Sequence, residues 1–518
     1  MDPDDDFNWG SSGNCTDTQI VRDVKKFDVT FAADRKLVVS QEIRNVPSSH
    51  VSIDVHGSVV IRRVGSGTPG PSAVIDIIVN DDRIDVDVDW DADEQTLVVT
   101  VPRGIPRGEN SSRPCLNLKI TLWVPEDGSL SNLYVQTVHL GIALLDNLSI
   151  SISERAKFYS IVGSIIAAST GSDSRDKSIM DVGAPDSFRL QSRFIEVSSS
   201  SGSVTGSWPL YDYLAIKTIS GNIKVGVEPQ EAAKSEPKPA ILYINSASGD
   251  VEFREPIHTA EEAFALTRAM VAANKGGETD LRAETVLPPR DYRVDVHTAS
   301  GSIKGAAAFS STCGIKTTSG GINVDLLPVL DSSLSEDDSK QALLKTSSTS
   351  GTNDITVLDP LWIDSQQGGY VDLPPTPTPP MPPVPTAPWD RERYVPIGDD
   401  DPYSWIPGHL RDGAGGAGVV AQQQRNAANS RALRSLGAEH TTTSAKINVK
   451  YPAVWEGLIQ LSSVSGKLSA RGEGVEIISG GGHGWPKKPL VAKKGQDHPG
   501  WINIGSVSGN IDVLVGEE

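Results

Sequence analysis

Eight times along the chain the sequence spells Ser or Thr, any residue, Ser, Gly, any residue, and then usually an apolar residue. The glycines are Gly202, Gly221, Gly249, Gly301, Gly320, Gly351, Gly466 and Gly509. Seven of the eight have Val, Ile or Leu two positions on; Gly351 is followed by Thr352, Asn353 and Asp354 before Ile355. The fullest copy is residues 214–227, Leu-Ala-Ile-Lys-Thr-Ile-Ser-Gly-Asn-Ile-Lys-Val-Gly-Val. Leu214, Ile216 and Thr218 share one face of a period-two strand, and Ile223, Val225 and Val227 do the same beyond the glycine. Each copy therefore predicts a strand, a turn and a strand. A turn glycine is expected at positive φ, and its serine neighbour is expected to hydrogen-bond nearby backbone.

A unit this small cannot bury its own apolar face, so copies must stack on one another. The spacing predicts an all-β fold, a right-handed β-solenoid or β-helix-like stack. The bends should align in a column along one edge. The Ser/Thr rows could alternatively form a binding or catalytic surface, but turn chemistry already accounts for both residue types.

Composition narrows the function classes. The chain has 518 residues and a net charge of −19, from 47 basic and 66 acidic residues. That balance argues against nucleic acid or an anionic membrane surface as partner, since both call for a basic face. Three cysteines, Cys15, Cys115 and Cys313, make neither a disulfide framework nor a metal spacing. At most Cys15 and Cys115 pair, which leaves Cys313 facing inward like Ile315. The chain as written opens on Met-Asp-Pro-Asp-Asp-Asp, unlike a signal peptide, and no window has the apolar length of a membrane helix. Asn14, Asn110 and Asn147 head glycosylation sequons.

In chain order, residues 1–24 are an acidic, disordered start. Residues 25–193 form an all-β region continuous with the solenoid, with degraded copies of the repeat at 55–64 and 161–169. The strong repeats occupy 194–358 and resume at 443–518. Three segments interrupt them: a Pro/Glu/Lys linker at 229–239, a helix over 258–274 with Thr259 and Glu262 as a capping box, and an acidic loop at 331–340. Residues 359–442 read as a disordered insert into one continuous stack. Its proline-rich start, with Pro-x-x-Pro runs from Pro377 to Pro380 and from Pro385 to Pro388, reads as a polyproline linker or a ligand for an aromatic groove. Gly413 to Gly418 match a dinucleotide-loop spelling, but no strand precedes them, so no cofactor is expected.

Asp85, Asp87, Asp89, Asp91 and Asp93 alternate along one strand face; they are a calcium candidate, or a solvated face that resists aggregation. No nucleophile elbow, zinc-helix motif or phosphate loop is present. His56, His297 and His483 are scattered, and no catalytic residue is assigned.

The Ser-Gly-x-Ile/Val repeats resemble the putative adhesin family of unknown function, best over 197–227 and 292–326. The resemblance implies a β-solenoid and a cell-surface or extracellular setting, and supplies no catalytic residues. The expected function is a non-enzymatic, adhesin-like protein presenting a repetitive β surface to a glycan or protein. The alternatives are a polysaccharide-active β-helix enzyme, which needs two carboxylates across a cleft, and an intracellular scaffold recruiting partners through the proline-rich insert.

Overall fold

The computed structural model describes residues 19–47, 49–65, 70–107, 113–145, 148–167, 188–233, 236–272, 286–332, 341–364, 369–370, 433–480, 489–495 and 499–517. They belong to one compact unit, Met1–Asp372 with Leu433–Glu518. Cys15, Asn14, Asn110, Asn147, His483, the Pro-x-x-Pro runs and Gly413 to Gly418 lie outside the described residues, as do residues 333–340 of the acidic loop.

The described chain is nearly all β, with two large mixed sheets and a single helix, Ile257–Ala272. From Gly128 to Val357 successive strands alternate between the sheets. One sheet takes Gly128–Thr137, Ser149–Ser160, Arg189–Ser199, Tyr213–Thr218, Ala240–Ser246, Tyr292–Thr298, Thr312–Thr317, Ala342–Ser348 and Leu436–Thr442, each parallel to the next. The other takes Gly141–Leu144, Ile165–Ala167, Val204–Leu210, Ile223–Pro229, Val251–Arg254, Ile303–Phe309, Ile322–Asp331, Asn353–Val357 and Ile447–Tyr451, again parallel. A rung is one strand of each sheet and the Ser-Gly turn between them. Among the described residues no pairing joins the ends of either sheet into a barrel.

Alternation along each strand sets the core. Ile195, Leu214, Leu242, Val294, Cys313 and Leu344 lie side by side across the first sheet and are buried. Val204, Ile223, Val251, Ile303 and Ile322 do the same across the second. Asn353, two after Gly351, keeps this apolar register opposite Ile322 and is fully buried. Cys313 is free and inward-facing, and Cys115 is disulfide-bonded.

The turns correct one expectation. None of the eight repeat glycines has positive φ. Glycine is required instead by close approach. A Cβ on Gly221 would run into the carbonyl oxygen of Gly202, on Gly249 into that of Gly221, on Gly301 into that of Gly249, and on Gly320 into that of Gly301. The bends do form a column, packed backbone on backbone. The residue three before each glycine completes it from inside. Gly301 N–H donates to Thr298 Oγ1 at 3.1 Å, and Thr298 Oγ1 donates to the Gly249 carbonyl at 3.2 Å. Gly320 N–H donates to Thr317 Oγ1 at 3.1 Å, which donates to the Gly301 carbonyl at 2.9 Å. The serine just before the glycine bonds the previous rung from outside, as Ser248 Oγ does to the Ile219 carbonyl at 3.0 Å.

The rungs are not all in chain order. Trp501–Ser506 lies between Leu436–Thr442 and Gly457–Ser463, parallel to both. Ile511–Val515 likewise lies between Ile447–Tyr451 and Leu468–Gly472. The last segment of the chain thus fills a slot between two earlier rungs. Trp501 lies across Gly437, where any Cβ would strike its indole, and its Nε1 donates to Gln341 Oε1 at 3.0 Å. At the other end Lys36–Arg44 sits between Gly128–Thr137 and the later strand Thr96–Pro102. Antiparallel strands close both ends of this sheet, Asp87–Asp91 at one and Leu490–Lys494 with Val475–Ser479 at the other.

Three boundaries differ from the sequence reading. Ile20–Val21, within the start read as disordered, is a strand paired antiparallel with Ser72–Val79. The helix begins at Ile257, with Ala260 N–H donating to the Pro256 carbonyl at 3.0 Å. Thr259 is therefore inside the first turn and caps nothing; the fixed φ of Pro256 suits a helix start. Leu361–Asp364, Gly369–Tyr370 and Leu436–Thr442, placed within the insert by sequence, are strands. Leu436–Thr442 pairs directly with Ala342–Ser348, so rungs on the two sides of 373–432 are neighbours. Its copy was missed because Ala445 stands where glycine is expected, after Thr442 and Ser444 and before Ile447.

Candidate binding face

The repeat hydroxyls divide: the serines just before the glycines, such as Ser220, Ser248, Ser300 and Ser319, are exposed along the turn edge, whereas those three before are not. Ser199, Thr218, Ser246, Thr298, Thr317 and Ser348 point inward and are buried, in line with one another. The outward face of the same sheet is chemically more varied. Aligned by register, one outward row reads Phe194, Tyr213, Ile241, Arg293, Thr312, Leu343. The next reads Glu196, Ala215, Tyr243, Asp295, Gly314, Lys345, Glu439. Tyr134 and Tyr159 continue the face over the preceding strands.

Its aromatic groups cluster. The Phe194 and Tyr213 rings lie 6.5 Å apart at 46°. Lys217 Nζ sits 5.1 Å from the Tyr243 ring centre, and Asn245 Nδ2 donates to the Tyr243 hydroxyl at 3.0 Å. Burial, with Glu196 nearby, pushes the Tyr213 phenol above its ordinary 10, so it remains a hydrogen-bond donor at neutral pH. Two strands further along, the face dips. A shallow depression is lined by Ile241, Arg293, Asp295, Thr312, Leu343 and Lys345, over a floor at Gly314. A Cβ at Gly314 would meet only Asp295 Oδ1, at 3.3 Å. Its two cations are matched, Arg293 with Asp291 at 2.9 Å and Lys345 with Glu439 at 3.2 Å, and the Asp295 carboxylate lies 2.5 Å from the His297 ring.

The aspartates are placed elsewhere. Asp87, Asp89 and Asp91 are exposed along the edge strand Asp87–Asp91, while Val88 and Trp90 turn the other way and Trp90 stacks on Phe27 at 5.7 Å. Asp85 faces Arg44 at 3.6 Å, and Asp91 accepts from the N–H groups of Asp93 and Glu94. Among the described residues no three acidic, His or Cys side chains come together as a metal site. His56 and His297 are half-exposed and sit beside Asp54 and Asp295 respectively.

Two buried ionisable groups escaped the sequence reading. Glu255, at the helix start, is buried; its Oε2 accepts from Ala308 N–H at 2.7 Å while Oε1 has no partner. Burial raises its pKa from 4.5 to about 8. His440 is fully buried between Thr346 Oγ1 and the Tyr451 hydroxyl, each 2.8 Å away. Burial lowers its pKa from 6.5 to about 3, so it is neutral. Its signal was available: it occupies the place of Ile315 and Ile504 in the inward row.

No family model matches the chain, and no curated protein matches it. It is similar to a solved putative adhesin from Parabacteroides distasonis, at 6% identity over 67% of this chain and 97% of that one, with a TM-score of 0.19. A putative adhesin from Parabacteroides merdae matches at 9% identity over 67% and 95%, with a TM-score of 0.16. A putative cell adhesion protein from Clostridium sporogenes matches at 6% identity over 95% and 99%, with a TM-score of 0.12. Among the described residues no helix is long and apolar enough to cross a membrane.

Proposed function

We propose that the chain is a β-solenoid, wound right-handed as parallel crossovers are, and that it works as a non-enzymatic, adhesin-like binding protein. Strands that alternate between two parallel-paired sheets support the solenoid. The observation that carries the function is the outward face of Arg189–Ser199, Tyr213–Thr218 and Ala240–Ser246. Phe194, Tyr213 and Tyr243 interleave there with Glu196, Lys217 and Asn245. Aromatic area with hydrogen-bonding groups around it, held on a rigid sheet, is the chemistry of a recognition surface rather than of bond cleavage.

The ligand on this reading is a glycan or a protein at a cell surface. The test applies the immobilised full-length chain to a broad glycan array and to a cell-surface protein extract, beside hydrolase and lyase assays on the same glycans. Saturable binding of either ligand class without turnover is expected. Turnover of a bound glycan would replace this reading with the enzymatic one.

A further inference from the structure

We infer that the depression over Gly314, together with the aromatic cluster at Tyr243, Tyr213 and Phe194, is one extended subsite for a neutral, pyranose-based oligosaccharide. The inference rests on the binding-protein reading above and narrows it to one ligand class and one place.

Three features lead there. The first is that close packing does not require glycine at Gly314. The repeat glycines are locked against the carbonyl of the preceding rung, whereas a Cβ at Gly314 would approach only the flexible carboxylate of Asp295, at 3.3 Å. Its lack of a side chain opens the floor between Asp295 and Lys345 in the outward row. The second is the lining. Ile241 and Leu343 offer apolar walls, Thr312 a hydroxyl, Asp295 an acceptor, and Arg293 and Lys345 donors. A sugar ring presents that same mixture, with C–H faces to lay on apolar groups and hydroxyls that both donate and accept. Arg293 and Lys345 already face the carboxylates of Asp291 and Glu439, so the depression offers no unpaired cation to draw an anionic ligand, and a neutral sugar fits its donors and acceptors.

The third feature is direction. Tyr213 is in register with Thr312, and the strands Ala240–Ser246 and Tyr292–Thr298 lie between, so Tyr213 and Gly314 are about 14 Å apart across the strands and two residues apart along them. That span requires several linked sugars lying across the strands, with rings stacked over Tyr213 and Phe194 at one end and one ring seated over Gly314 at the other.

The experiment titrates the full chain with cellohexaose, xylohexaose, mannohexaose and chitohexaose by calorimetry. At least one should bind. Gly314→Gln, which fills the depression from a position that accepts a side chain, should weaken that ligand about tenfold or more. Tyr213→Ala should weaken it to a similar degree, and a Lys224→Ala variant on the opposite sheet should bind like the parent. Unchanged thermal midpoints would show that all three variants fold. If no hexasaccharide binds, or if Gly314→Gln and Tyr213→Ala bind as the parent does, the inference is wrong. Capture of a protein ligand by the same chain would then leave the broader binding reading standing, and its absence as well would remove both.

Discussion

Gly320→Ala should destabilise the full chain by about 3 kcal/mol or more, while Gly314→Ala, in the same rung, should leave its urea midpoint within about 0.5 kcal/mol of the parent. The two substitutions add the same methyl group. At Gly320 it would be driven into the carbonyl oxygen and carbon of Gly301, which are backbone and cannot rotate away. Relief requires opening the rung spacing. That would stretch the link from Thr317 Oγ1 to the Gly301 carbonyl, now 2.9 Å. At Gly314 the methyl meets only Asp295 Oδ1, at 3.3 Å, and a side-chain torsion removes the contact. Positive φ cannot explain a difference between them, since neither glycine adopts it. Equal midpoints for the two variants would show that the turn column is not packed as described.

The second large effect is a pH dependence set by two buried groups with opposite signs. Glu255 has its pKa raised from 4.5 to about 8 by burial, so between those values the folded chain holds a proton that the unfolded chain has released. Its stabilisation is complete below pH 4.5 and is lost as pH rises toward 8, on the order of 4 kcal/mol in all. His440 has its pKa lowered from 6.5 to about 3, so its stabilisation is complete above pH 6.5 and is lost as pH falls toward 3. Between pH 4.5 and 6.5 the two slopes cancel. Their summed contribution should therefore be level across that interval, fall on the acid side through His440, and fall on the alkaline side through Glu255. In Glu255→Gln an amide oxygen can still accept from Ala308 N–H, but nothing titrates. Its urea midpoint should stay level from pH 6.5 to 8 while the parent's falls. Parallel pH profiles for parent and variant would mean that Glu255 is ionised in the folded chain.

Strand and turn positions were legible because the period-two alternation and the glycines are local signals. What the glycines do was not, because a contact between Gly320 and Gly301 belongs to two rungs at once. Rung order at the chain end was hidden for a related reason. Copies of one spelling are interchangeable as neighbours, so nothing in residues 501–515 announces that they lie between 436–451 and 457–472. Ala445 concealed a copy by a single methyl group, and Glu255 sits in a Glu-Pro dipeptide that reads as an exposed turn. The outward aromatic face was closer to hand. Phe194, Tyr213, Ile241, Arg293, Thr312 and Leu343 each stand eight residues before a repeat glycine. Aligning the copies on the glycine therefore sets them in one row. The depression required the neighbouring row as well, since Gly314 lies there between Asp295 and Lys345.

Leu436–Thr442 pairs with Ala342–Ser348, so the rungs before residue 373 and after residue 432 should fold as one continuous stack. Replacing 373–432 with a flexible Gly/Ser linker tests it most directly, because the cost of closing a loop changes only slowly with its length. Calorimetry of that variant should show one cooperative transition at the parent's midpoint. Residues 443–518 expressed alone, without the strand that Trp501–Ser506 pairs against, should show none. Two transitions in the linker variant, one of them reproduced by 443–518 alone, would contradict the continuous stack.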